Sequence, residues 1–179
     1  TGPYGGYGRL ARAGGGWGEL KDFTGREADI GPDEGLLMGA INVIPVNGGG
    51  DWTCARPDHW IFEGTQLKAG DAFGAKDTIV GYECDGCELT WQEGIPTPTY
   101  RDGTPASFEI LASAPAQWHP DDCEWYERWE PSRKGNAVLG VYTRGGTVFT
   151  CGSTDWSHGL RGRDPAVERI TRNILDRFG

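Results

Sequence analysis

The end of this chain constrains its fold most tightly. Val167, Ile170, Ile174 and Phe178 recur at steps of three and four, the period of a helix with a single apolar stripe. Asp164 is placed to accept a backbone N–H at the start of that helix, and Pro165 suits its first turn. Glu168 and Arg172 add an i,i+4 ion pair worth about 0.2–0.5 kcal/mol. A helix with one apolar face needs a surface to bury it, which predicts a sheet under residues 164–178. Just upstream, residues 137–143 and 147–151 are strand-forming and are separated by Arg144-Gly145-Gly146. Glycine tolerates the positive φ of a tight turn, so this stretch predicts an antiparallel hairpin.

The rest of the chain is less regular. Residues 1–35 are rich in glycine and charge, with Gly14-Gly15-Gly16-Trp17-Gly18 at their centre and no sustained period, and are expected to lie extended on something else. Residues 36–46 form an apolar run broken by Gly39 and stopped by Pro45, either a strand or a buried edge. Residues 59–62 are short and apolar. Thr78-Ile79-Val80 leads into Gly81-Tyr82-Glu83, which predicts a buried strand over 77–83 delivering Glu83 at its C-terminal end. Three prolines in 88–106 predict a long irregular loop. Residues 108–112 read as a strand, and 115–136 as a loop holding Trp118, Trp125, Tyr126 and Trp129.

Thirty glycines and eleven prolines in 179 residues agree with many loops and short elements. A chain of this length buries roughly two thirds of its unfolded surface, enough for one core. Residues 1–179 are therefore expected to be a single domain or the C-terminal part of a larger one. Eight tryptophans argue against disorder. A formal charge of −9 repels phosphate backbones, so nucleic acid is not an expected partner. No apolar run approaches the roughly 20 residues of a membrane span, and the start lacks the basic and apolar regions of a secretory signal. A soluble, cytoplasmic protein is the expectation. Cys54, Cys84, Cys87, Cys123 and Cys151 are odd in number and scattered, which favours free thiols. The chain opens on Thr1 and not on a methionine, as expected of a processed or trimmed polypeptide.

Several constellations could carry chemistry. Glu83 and Asp85 flank Cys84, where alternation points both carboxylates to one side. Proximity or partial burial would suit one of them to general acid/base work, whereas a bland alternative has them cap the next turn. Cys84-Asp85-Gly86-Cys87 has chelating or redox spacing, but no second such pair follows, and small buried thiols are the simpler reading. Thr154-Asp155-Trp156-Ser157-His158-Gly159 combines hydroxyl, carboxylate and imidazole. Neighbours in sequence rarely reach triad geometry, so His158 is open to a substrate-orienting or a structural role. Gly6-x-Gly8-x-x-Ala11 lacks the strand and the acidic residue of a dinucleotide site. Trp52, Trp60, Trp91, Trp118, Trp125 and Trp129 could form a sugar-stacking platform or fill cores.

Longer segments carry a resemblance. Residues 10–19, 58–65, 80–86 (Val80-Gly81-Tyr82-Glu83-Cys84-Asp85-Gly86), 99–105, 144–150, 154–160 and 164–173 look like the C-terminal region of the N,N-dimethylformamidase large (beta) subunit, in the same order and over nearly the whole chain. The resemblance implies an α/β fold: part of a glutamine-amidotransferase-like sandwich with a mixed sheet, an antiparallel hairpin near the end and a C-terminal amphipathic helix. It implies an amide hydrolase that cleaves the C–N bond of a small substituted formamide, using a mononuclear iron that polarises the carbonyl while water attacks. Glu83 would be the general acid/base, with His158 and Asp155 ordering the pocket and Tyr82, Asp85 and Trp156 lining it. The iron ligands, two tyrosines and a glutamate, are expected upstream of this chain, so none is carried onto Tyr4, Tyr7, Tyr82, Tyr100, Tyr126 or Tyr142. An upstream polypeptide would then complete the catalytic domain in a hetero-oligomer. The competing expectation is a noncatalytic accessory or carbohydrate-binding subunit using its tryptophan surface.

Overall fold

A computed structural model describes residues 20–21, 27–28, 38–40, 47–48, 50–81, 83–101, 104–117 and 134–179. Its centre is a six-stranded sheet. The contributing strands are β3 (Asn47–Gly48), β4 (Trp52–Cys54), β5 (Ala72–Phe73), β8 (Glu109–Gln117), β9 (Lys134–Thr143) and β10 (Thr147–Thr150). The order is β10-β9-β8-β4-β5, with β3 pairing the far end of β8. Two short antiparallel pairs stand apart, β1 (Leu20–Lys21) with β2 (Glu27–Ala28), and β6 (Leu89–Gln92) with β7 (Ile95–Pro98). Every pairing among the described residues is antiparallel, where a mixed sheet was expected. Strands β9 and β10 meet through a hairpin, which needs no crossover helix.

The β9–β10 hairpin forms as its glycines predict, with Thr147 opposite Thr143 and Gly145 at φ 69°. Alternation along β9 divides the core in two. Ala137, Leu139 and Val141 join one cluster with Trp52, Ile79, Val80 and Cys84, while Val138 and Tyr142 join Phe108, Ile110 and Ala40 in another. A register shift between Ile110 and Ala112 lets β8 serve both. Gly140 lies close against Phe108: a Cβ there would come within 2.8 Å of its Cε2 atom.

Two helices cover the larger cluster, α1 (Trp156–Gly162) and α2 (Pro165–Phe178). Asp164 caps α2 through Oδ1, which accepts from the N–H groups of Ala166 at 2.9 Å and Val167 at 3.0 Å. Val167 and Ile170 are fully buried beneath it, each worth about 1.5–3 kcal/mol relative to exposure. Farther along the helix, the Asn173 side-chain amide donates to the carbonyls of Ile61 and Glu63. This ties α2 to the 3-10 turn Trp60–Phe62, the form taken by the apolar stretch 59–62.

Two expectations fail. The described residues of 77–83 form no strand: Ala75–Asp77 is a 3-10 turn, Thr78 is left-handed at φ 51°, and Val80 makes only an isolated bridge to Gly50. Ile79 and Val80 are fully buried as expected, but that burial comes from packing under the helices and not from a ladder. Residues 88–106 are not one irregular loop either, since β6 and β7 form a hairpin within them. Pro96 and Pro98 are tolerated because each strand of a two-stranded ribbon has a free edge. Glu93 and Gly94, at φ 51° and 81°, make the tight turn. Strands β8 and β9 also extend into the stretch 115–136. Most of residues 1–46, together with Trp118, Cys123, Trp125, Tyr126 and Trp129, lies outside the described residues.

Candidate functional site

The segment 83–86 does not end a strand but crosses the sheet by single bridges. Cys84 pairs Ser153 and Gly86 pairs Ala137. The Asp85 N–H donates to the Gly152 carbonyl at 3.0 Å, and the Thr154 N–H donates to the Glu83 carbonyl at 3.1 Å. The Val138 N–H donates to the Asp85 carbonyl at 2.9 Å. These bonds bring together two motifs about seventy residues apart in sequence, the Glu83–Asp85 carboxylates and the stretch leading into α1.

Cys84 points into the core and is fully buried, whereas Glu83 and Asp85 on either side are half-buried. The thiol reports the electrostatics here. Burial first, then the charges of Asp85, Asp155 and Glu83, push it up to about 12, with a hydrogen bond to Ser153 opposing. Its S–H donates to the Gly81 carbonyl at 3.5 Å. Such a thiol stays protonated at neutral pH, where it is a poor nucleophile.

Asp155 sits at the turn before α1, with its N–H donating to Ser153 Oγ at 3.1 Å. Its carboxylate occupies space left by Gly81, where an added Cβ would lie 2.9 Å from Asp155 Cγ. Gly81 thus permits the close approach of the 155 side chain to the 81–86 segment. The backbone bonds therefore set the segment carrying Glu83 and Asp85 beside the one carrying Asp155, and the charges of all three act on the buried thiol. Sequence reasoning missed the supporting residues Gly81, Gly152 and Ser153. Their signal was the small residues flanking each motif, of which Gly81 was read as part of the expected strand 77–83.

His158 is exposed in the first turn of α1, and its N–H donates to the Asp155 carbonyl at 2.9 Å. Trp156 faces the other helix: its indole N–H donates to Thr171 Oγ1 at 3.0 Å, and Thr171 donates in turn to the Val167 carbonyl. Tyr82 lies outside the described residues. Two cavities lie elsewhere, one of about 640 Å³ between residues 64–67, β5 and the start of α2, and one of about 140 Å³ beside Trp60. Neither is lined by Glu83, Asp85, Asp155 or His158.

Cys54, Cys84, Cys87 and Cys151 are free thiols. Cys84 belongs to the larger core cluster and Cys87 to the smaller one, so the two thiols of the C-x-x-C diverge. Among the described residues, no group of three or more His, Cys, Asp or Glu side chains is placed to hold a metal ion. The described tryptophans are dispersed and form no common platform: Trp52 is in the core, Trp60 at the end of α2, Trp156 against Thr171, and Trp91 on the β6–β7 hairpin with 56% of its surface exposed. Among the described residues, no helix is long and apolar enough to cross a membrane.

Residues 18–170 match the family model described as N,N-dimethylformamidase beta subunit-like, C-terminal. No curated protein matches the chain.

Proposed function

Because this chain belongs to the N,N-dimethylformamidase beta subunit-like family, we propose that it supplies the C-terminal part of an amide hydrolase that cleaves the C–N bond of a small substituted formamide. One observation within the chain supports the reading: residues 83–85 and 152–154 are bonded side by side through their backbones, so the segment carrying Glu83 and Asp85 runs next to the one leading to Asp155. Hydrolysis of an unactivated amide needs a base to take a proton from water and an acid to give one to the departing amine. Glu83 is assigned both tasks. It accepts the proton as water adds to the carbonyl carbon, then passes it to the amine nitrogen as the C–N bond breaks. Formate and an amine result, and the glutamate returns to its starting state. Asp155, packed against Gly81, positions the segment that carries Glu83, and His158 stands at the start of α1 to orient substrate.

Among the described residues, no three His, Cys, Asp or Glu side chains are placed together to hold a metal ion. The proposal leaves the metal and its ligands with a preceding polypeptide of the same complex, and none of the steps above passes through it. A subunit role follows the family description. The test is release of formate and dimethylamine from N,N-dimethylformamide by this chain together with its copurifying partner, followed by proton NMR. Stoichiometric appearance of both products supports the reading. A complex that binds the amide and releases neither product overturns it in favour of an accessory role.

A further inference from the structure

At the far end of α2 from its cap, the sheet and the helix leave a second cleft of about 140 Å³. Trp60 forms one wall and Val141 of β9 lines it, while His59, Glu109 and Arg177 bring ionisable groups from three elements. Arg177 and Glu109 face the same cleft with opposite charges and make no ion pair with each other. The Arg177 guanidinium lies 5.6 Å from the centre of the Trp60 ring, which holds it over an aromatic face while its N–H donors remain available. Phe178 packs edge-on against the same ring at 6.2 Å and limits where the indole can turn.

Burial lowers the affinity of His59 for a proton and so favours its neutral form, with Glu109 opposing and Arg56 adding to the effect. Its Nδ1 accepts the Ile61 N–H at 3.4 Å, which leaves Nε2 as the N–H donor. Ser107 on the rim is already engaged, donating to the Thr143 carbonyl at 2.9 Å. A cation, an anion and a neutral donor therefore line a space that admits a ligand of a few heavy atoms.

We propose that this cleft binds a small zwitterion of the α-amino-acid class, with Arg177 pairing its carboxylate, Glu109 its ammonium and Trp60 forming the wall behind Arg177. A simple anion would satisfy Arg177 and be repelled by Glu109, and a simple cation would meet the reverse. Only a ligand carrying both charges at short separation answers both walls. The inference is independent of the amide-hydrolase reading and concerns a different part of the chain.

The experiment is an NMR titration of the intact chain at neutral pH with glycine, acetate and methylammonium, following the Trp60 indole N–H. Glycine is expected to give a saturable shift with affinity about tenfold or more above either comparator, and Arg177→Gln and Glu109→Gln are each expected to weaken it by about tenfold, as for loss of one charge-assisted contact. Arg177→Lys keeps the charge and should retain part of the binding. Both positions are exposed, so the amide spectrum of the sheet should be unchanged in every variant. The proposal is overturned if glycine does not saturate, if acetate or methylammonium binds as tightly, or if either charge-removing variant binds like the parent.

Discussion

Gly152→Ala is the sharpest probe of how the two halves of the candidate site are held. Gly152 has φ 60°, where an L-residue carries a strain of about 1–2 kcal/mol. Its added Cβ would lie 2.8 Å from the Val138 carbonyl carbon and 3.1 Å from Trp52 Cη2, and closer still to the Val138 oxygen. Carbon atoms prefer about 3.5–4.0 Å, and the obstacle is strand backbone, so the 151–155 segment has to move. Overpacking of this kind costs roughly 1–3 kcal/mol in addition. Gly145→Ala supplies the control, because Gly145 has φ 69° with nothing within 4 Å of its added Cβ, and it should incur the backbone strain alone. Gly152→Ala is therefore expected to be less stable than Gly145→Ala by roughly 1–3 kcal/mol, a melting midpoint lower by roughly 2–12 °C for a chain of this size. Because the Gly152 carbonyl accepts the Asp85 N–H, amide exchange at Asp85 should also quicken in Gly152→Ala and not in Gly145→Ala. Equal midpoints and equal exchange at Asp85 would refute the packing derived for this site.

Two further outcomes follow from the same contacts. Asp164→Ala removes the acceptor for two N–H groups of α2 and should lower the stability measured in urea by about 1 kcal/mol. Burial holds Cys84 at about 12 and Cys54 at about 11 in the folded chain, against 9.0 for an ordinary thiol. A raised folded value favours the protonated form, so this stability is fully present below pH 9.0 and is lost as the pH rises toward 12. Cys84→Ala should flatten that alkaline fall in a pH series of unfolding curves, and iodoacetamide at pH 8 should modify half-buried Cys87 well before Cys84.

What could be read ahead of the structure followed local chemistry. The α2 helix was legible because its period, its capping aspartate and its N-terminal proline all act within a few residues. The β9–β10 hairpin was legible because Gly145 and Gly146 favour the turn that joins it. The strand expected over 77–83 failed because Thr78-Ile79-Val80 signals burial, and burial under two helices has the same apolar composition as burial in a ladder. The β6–β7 hairpin was hidden by Pro96 and Pro98, which exclude a central strand but not an edge. Carboxylates at 83 and 85 were visible as a motif, yet their meeting with Asp155 depends on bonds from Asp85 to Gly152 and from Thr154 to Glu83. Long-range backbone pairing of that kind leaves no local pattern. The cleft at Arg177 went unread for the same reason, since its charges come from residues 59, 109 and 177.

The central claim is that Glu83 carries the proton in amide cleavage, and Glu83→Gln tests it most directly. The substitution keeps the size of the side chain and leaves the backbone carbonyl that accepts the Thr154 N–H, while removing the base. Steady-state release of formate from N,N-dimethylformamide, measured for the assembled complex with its metal content matched to the parent, is expected to fall by roughly 10²–10⁴ in kcat. Near-parental turnover in Glu83→Gln with metal retained would contradict the assignment.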